Sequence, residues 1–228
     1  MLRELLNNFL EAIAPLLAVI GFLCTVKQWR QVLYFQLLFI YFLLTFLNLC
    51  VATWLAFLNK PNMLWYNING FTSLAVLSAF FYHVVESKTL RNLIASLGVA
   101  GLATYLLLLF VWDDNITFFS AGYSIGSLLV IVYCFLFLKE LFGVRHSLSL
   151  ESGSIVWIIS GLLTYFLGSY MIQVTYKLMT VRFLNAEKSV FLIPGVLWGI
   201  HNVIYCLACA FIGFHLLKIR REPLSEKA

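Results

Sequence analysis

Charged side chains are placed along this chain so that seven long runs contain none: 12–26, 31–59, 61–85, 92–112, 115–138, 152–176 and 189–217. A bilayer core about 30 Å thick needs roughly 20 apolar residues per helix. Six of the runs exceed that length. The first reaches it once Glu11 sits at the interface and Phe9 and Leu10 extend the apolar stretch. The pattern predicts an all-α integral membrane protein, a seven-transmembrane-helix bundle. Its helices fall at approximately 9–26, 32–58, 63–85, 92–112, 117–138, 153–176 and 190–217, in a single membrane domain over 1–228.

Composition agrees. Hydrophobic residues make up 62% and charged residues 11%, against roughly 45–50% and about 25% in soluble domains. The net charge of +5 does not point to nucleic acid, because no basic run is long enough for a phosphate-binding arm. It points instead to an orientation. Lys27, Arg30, Lys88, Arg91, Lys139, Arg145, Lys218, Arg220, Arg221 and Lys227 fall on one side of the membrane. Arg3, Lys60, Lys177, Arg182 and Lys188 fall on the other. The positive-inside rule then predicts the N-terminus outside and the C-terminus in the cytoplasm. No small-x-small cleavage site follows the first apolar run, so that helix is expected to be retained. Cys24, Cys50, Cys134, Cys206 and Cys209 all lie in apolar runs, which argues against a loop disulfide framework.

The last run has the densest functional-looking face. Trp198, His201, Asn202 and Tyr205 are spaced by three and four, which puts them on one stripe of a helix. Polar groups at mid-membrane depth face the bundle interior and need partners. Asn48, Tyr66, Asn67 and Gln173 lie at matching depths on other helices, as do Asn69, Tyr123, Ser124 and Tyr170. The expected arrangement is a polar, aromatic-lined cavity in the outer half. Its plain reading is mutual hydrogen bonding that holds helices together. Its functional reading is a small-molecule or lipid site, with Trp198, His201, Asn202, Tyr205, Tyr66, Asn67, Asn48 and Gln173 as ligand-binding candidates. Gly122 and Gly126, and Gly195 and Gly199, have GxxxG spacing and are expected at helix contacts, with helices five to seven packing tightly. Gly161 and Gly168 recur one heptad apart. Pro194 either kinks the last helix or opens it, and 177–188 is read as an amphipathic turn along the interface.

Sharper chemistries fare less well. The last helix has no lysine for a retinal Schiff base. Halves with matched helix-breaking prolines, as in repeat-built transporters, are not seen. Gly122-Tyr123-Ser124-Ile125-Gly126 spells GxSxG, but the nucleophile elbow needs a strand–turn–helix context. Its serine also lies nearer the surface than His201. A haem between His83 and His215 rests on depth alone. No metal-ligand spacing occurs, and no catalytic residue, metal or cofactor is expected.

Leu64-Trp65-Tyr66-Asn67-Ile68, Trp157-Ile158-Ile159-Ser160-Gly161 with Tyr165-Phe166, and Leu197-Trp198-Gly199-Ile200-His201-Asn202 resemble small uncharacterised bacterial seven-transmembrane-helix proteins. These are similar to the membrane sensor regions of seven-helix histidine kinases. The resemblance spans 8–217 and implies no catalytic residue. It implies a sensor in a bacterial inner membrane. With eleven residues after Leu217, its output is expected to pass through a separate cytoplasmic or membrane partner. The expected function is therefore a receptor-like protein binding a small apolar or amphipathic ligand. The alternatives are an accessory subunit of a membrane complex and, further off, an intramembrane serine hydrolase or a transporter.

Overall fold

The computed structural model describes the backbone of residues 2–24, 33–112, 119–143, 150–183 and 192–219. Within these it describes the side chains of 13–24, 33–111, 119–143, 155–175 and 196–216. The described residues form seven α-helices: α1 Leu2–Cys24, α2 Leu33–Phe57, α3 Met63–Val84, α4 Lys88–Trp112, α5 Ser120–Gly143, α6 Leu150–Phe183 and α7 Leu192–Ile219. Five are long and apolar enough to cross a membrane: α2, α4, α5, α6 and α7. Ile13–Cys24 of α1 is a shorter apolar segment. The remaining helix, α3, is diluted by Asn67, Asn69, Thr72, Ser73, Ser78 and His83.

Local chemistry explains where helices end. After Phe57 the chain closes a Schellman turn, in which Asn59 N donates to Ala56 O (3.0 Å) and Lys60 N to Leu55 O (2.9 Å). Asn59 stands at φ 53°, a left-handed conformation asparagine tolerates better than most residues. Pro61 then blocks continuation. Between α3 and α4, the Glu140 carboxylate reaches over from α5 and accepts from Ser87 N (2.6 Å) and Glu86 N (3.1 Å), while Arg91 Nε donates to Val85 O (2.6 Å). Pro194 stands in the first turn of α7, where its missing N–H has no helical partner to lose.

Several helices run past the bounds expected from the sequence: α1 begins at Leu2 rather than 9 and α4 at Lys88 rather than 92, and α5 and α6 extend beyond theirs as well. α6 has 34 residues, or roughly 51 Å at 1.5 Å per residue. It continues through Lys177 and Arg182, so the expected interfacial turn is, as far as Phe183, more helix. Charge ends the apolar run there without ending the helix. At the other end of the same helix the connection from α5 shortens, because α5 runs to Gly143 and α6 begins at Leu150. Asp113–Thr117, the loop around Arg145, the end of the 177–188 segment and the C-terminal tail lie outside the described residues.

Short connections make successive helices antiparallel. Packing follows α1–α2–α3–α5–α6–α7 and returns to α1, so six helices close a ring. α4 is excluded from it and packs against α3 and α5 from outside. Only 22% of its apolar window is buried, against 39–44% in the other four apolar helices.

Apolar side chains gain little by leaving lipid for one another, so helix fit decides the contacts. The closest backbone approach is α1 against α7. A Cβ on Gly21 would stand 3.0 Å from Gly213 Cα, and one on Gly213 would stand 3.0 Å from the Leu17 carbonyl oxygen. On α6, Gly161 and Gly168 receive Ile212 and Ile204 of α7. The expected close packing of helices five to seven is present, but the tightest crossing is the ring closure, at glycines that have no GxxxG partner. Gly213→Val should lower stability by about 1–3 kcal/mol through overpacking against backbone. Gly126→Ala, where a Cβ meets nothing within 4 Å, should be neutral or raise it by up to about 1 kcal/mol. Apparent melting temperatures in one detergent check the pair.

Candidate functional site

Helical register selects which side chains look inward. On α3 the stripe Tyr66, Asn69, Gly70, Ser73, Leu74 and Leu77 faces the ring interior, and on α5 the stripe Tyr123, Gly126, Ser127 and Val130 does the same. α7 presents Trp198, His201 and Tyr205, α6 presents Tyr165, Phe166 and Gln173, and α2 presents Tyr41, Thr45 and Leu49. Together they enclose a cavity of about 40 Å³, room for a few water molecules. Tyr66, Tyr123, Gln173 and Trp198 lie toward the end of the bundle where α2 meets α3. Tyr41, Leu77, Val130 and Tyr205 lie toward mid-helix. Among the described residues, α1 and α4 contribute nothing to the wall.

Part of the polar lining is already paired. Ser127 Oγ hydrogen-bonds Gln173 Oε1, joining α5 to α6. Tyr123 OH donates to the Tyr66 carbonyl at 2.6 Å, joining α5 to α3. Behind the wall, Tyr105 OH on α4 donates to the Asn67 carbonyl (3.0 Å) and Ser78 Oγ to Tyr133 OH (3.3 Å). Among the described residues, Asn69 Oδ1 on α3 and His201 Nδ1 on α7, both on the wall, find no hydrogen-bond partner. Both side chains are more than nine-tenths buried, at 8% and 4% exposed. His201 is fixed by rings rather than by hydrogen bonds to Nδ1. It stacks on Trp198 (4.9 Å, 25°) and lies 5.6 Å from Tyr165, which in turn sits 4.7 Å from Tyr205.

Of the eight ligand-binding candidates, Tyr66, Gln173, Trp198, His201 and Tyr205 line the cavity. Asn48, Asn67 and Asn202 are buried but off the wall. Asn67 sits about 100° round α3 from Tyr66, on the side where Tyr105 reaches its carbonyl. Asn202 shares by register the stripe of Cys209 and Gly213, where α7 crosses α1. Asn69, Tyr41, Thr45, Ser73, Tyr123, Ser127 and Tyr165 complete the lining. Continuing the helical stripes from Tyr66 and Tyr123 names Asn69, Ser73 and Ser127.

Gly122 and Gly126 divide between two duties. A Cβ on Gly122 would run into the rings of Phe119 and Tyr105, so this glycine serves packing. Gly126 lines the cavity instead of a helix contact. Gly199 is half-buried, and at Gly195 only the backbone is described. Ser124, centre of the GxSxG, donates back to Ser120 O at 2.7 Å and is not part of the wall that carries His201. His215 is enclosed by Trp157 (4.9 Å, 3°), Phe211 and Phe214, while His83 is exposed beside Tyr82.

Ser127→Ala removes Gln173's partner inside the bundle. It should cost about 0.6–1.7 kcal/mol, the span of measured interhelical hydrogen bonds in membranes. Ser124→Ala, which loses only a bond back to its own helix, should stay within about 0.5 kcal/mol of the parent. Unfolding in mixed micelles checks both. Compared with family models, curated proteins and solved structures, the chain finds no match, so the functional reading stands on the cavity itself.

Proposed function

We infer that this is a seven-span membrane protein that binds a small molecule within its helix ring and reports occupancy to a separate partner. The observation that carries the reading is the pair of cavity-wall atoms, Asn69 Oδ1 and His201 Nδ1, held buried on opposite sides of the ring without hydrogen-bond partners among the described residues. Ser169 Oγ is also buried without a partner among the described residues but lies off the wall. What sets Asn69 and His201 apart is that both border the cavity, where a ligand can offset the cost of about 1–3 kcal/mol for each buried unmet group.

Other features support the spans and the orientation. Exposed rings with polar edges mark both ends of the bundle, Trp54 at one and Tyr82 and Trp157 at the other, as interfacial belts do. α1 and α3 complete seven crossings, with the polar positions of α3 covered by α2, α4 and α5. The basic residues place the C-terminus in the cytoplasm, which puts the cavity in the outer half. The sequence resemblance is the ground on which a bacterial inner membrane and a signalling output are proposed with it. A cavity of about 40 Å³ limits the ligand to a small molecule or the head of an amphipathic one.

A C-terminal green fluorescent protein fusion should fluoresce in a bacterial host. A dark fusion whose alkaline phosphatase counterpart is active would reverse the orientation. Native mass spectrometry of gently extracted protein should show a discrete bound mass, lost in His201→Ala while the variant stays folded and monodisperse. A stoichiometric protein companion with no bound small mass would replace this reading with that of an accessory subunit.

A further inference from the structure

The cavity wall is uniform in one respect: every helix that forms it contributes an aromatic ring with a polar edge, namely Tyr41, Tyr66, Tyr123, Tyr165 and Trp198. Between these rings stand an amide oxygen, Asn69 Oδ1, and an imidazole nitrogen, His201 Nδ1, without partners among the described residues. The amide oxygen is an acceptor only, and the nitrogen accepts when the ring proton sits on Nε2. No Asp, Glu, Lys or Arg is among the described residues that line the cavity.

This chemistry sorts ligands by charge. An anion would meet an unmet acceptor and π-faces with no cation to balance it. A hydrocarbon would leave both acceptors unmet. A group bearing several N–H donors and a positive charge satisfies the acceptors with charge-assisted hydrogen bonds and is attracted by the faces of tyrosine and tryptophan, as in aromatic cages. Size agrees, since the space for about three waters takes an ammonium head with two or three carbons.

Resting on the ligand-binding reading above, we propose that the cavity is a site for a small primary alkylammonium, donating to Asn69 Oδ1 and His201 Nδ1 within a wall of tyrosine and tryptophan rings. Charge without a counter-ion is expensive to desolvate, so the direct competitor is a neutral donor of the same shape.

Ethylammonium and ethanol make that comparison on the unmodified protein, by calorimetry in lipid nanodiscs, with tetramethylammonium as a cation lacking N–H groups. Ethylammonium should bind at least about tenfold more tightly than ethanol, the scale of one cation–π contact. Asn69→Leu should reduce ethylammonium affinity toward that of tetramethylammonium. Equal affinity for ethanol and ethylammonium would overturn the cation assignment while leaving a ligand site in place. Tetramethylammonium binding as tightly as ethylammonium would overturn the role given to the two acceptors. Binding of none of the three to folded protein would overturn this assignment, and a bound native mass would then decide separately whether the broader reading survives.

Discussion

Two apolar helix faces gain little by meeting in hydrocarbon, because lipid chains would cover either of them equally well. What holds such a bundle is the closeness of fit, and in this protein the fit is closest where the first helix meets the last. Ala14, Ala18 and Gly21 lie at i, i+4 and i+7 on α1, the two alanines fully buried. Gly213 of α7 meets the backbone of Leu17 and Ala18 directly. That crossing closes the ring. Without it α7 would be held from one side only, by Gly161 and Gly168 of α6, and the cavity would have no fixed wall carrying Trp198, His201 and Tyr205.

The opposite wall is secured by different means. α3 is the most polar of the central helices, and most of its burden is discharged locally. Thr72 bonds back to Ile68 O at 2.8 Å, Ser78 meets Tyr133, and the Asn67 carbonyl takes the Tyr105 hydroxyl. One of these three, the Tyr105 bond, depends on α4, the helix behind the wall. This gives α4 a purpose even though it lies outside the ring. Gly98 admits Ser78, Gly101 admits Leu129, and Tyr105 supplies a hydroxyl. At the far end Glu140 ties the α3–α4 turn to α5. The α3–α5 wall is thus cross-linked by hydrogen bonds and backed by a seventh helix, whereas the α1–α7 closure relies on small residues.

Much of this architecture is legible in the sequence, for reasons that also mark where legibility stops. Runs without charge locate helices because lipid tolerates nothing else, and the seven helices fall where the runs do. The ends are less secure, as α6 shows: Lys177 and Arg182 leave the hydrocarbon without leaving the helix. Glycine pairs are ambiguous in another way. Gly122 and Gly126 have the spacing of a packing face, yet one admits an aromatic ring and the other opens onto a cavity, because a spacing does not say what lies opposite. Gly21 and Gly213 show the converse, two isolated glycines that matter only because they meet. Within the site, Trp198, His201 and Tyr205 were accessible from their stripe, and depth brought in both Asn67 and Asn69; only the direction of Tyr66 on α3 separates Asn69 on the wall from Asn67 off it.

The unmet pair in that wall has a consequence that magnitudes make concrete. Each buried acceptor left alone holds the resting bundle about 1–3 kcal/mol above a fully paired one. Any molecule that donates to both Asn69 Oδ1 and His201 Nδ1 recovers up to about 2–6 kcal/mol, where 1.4 kcal/mol is a factor of ten in affinity. Immobilising even a small ligand consumes several kcal/mol of that gain, so hydrogen bonds alone give weak binding and the rings must supply the remainder. Selectivity then comes less from tight grip than from exclusion. On the proposed reading, this recovery is withheld from anions and hydrocarbons alike, and a cavity with so little space withholds it from large molecules as well.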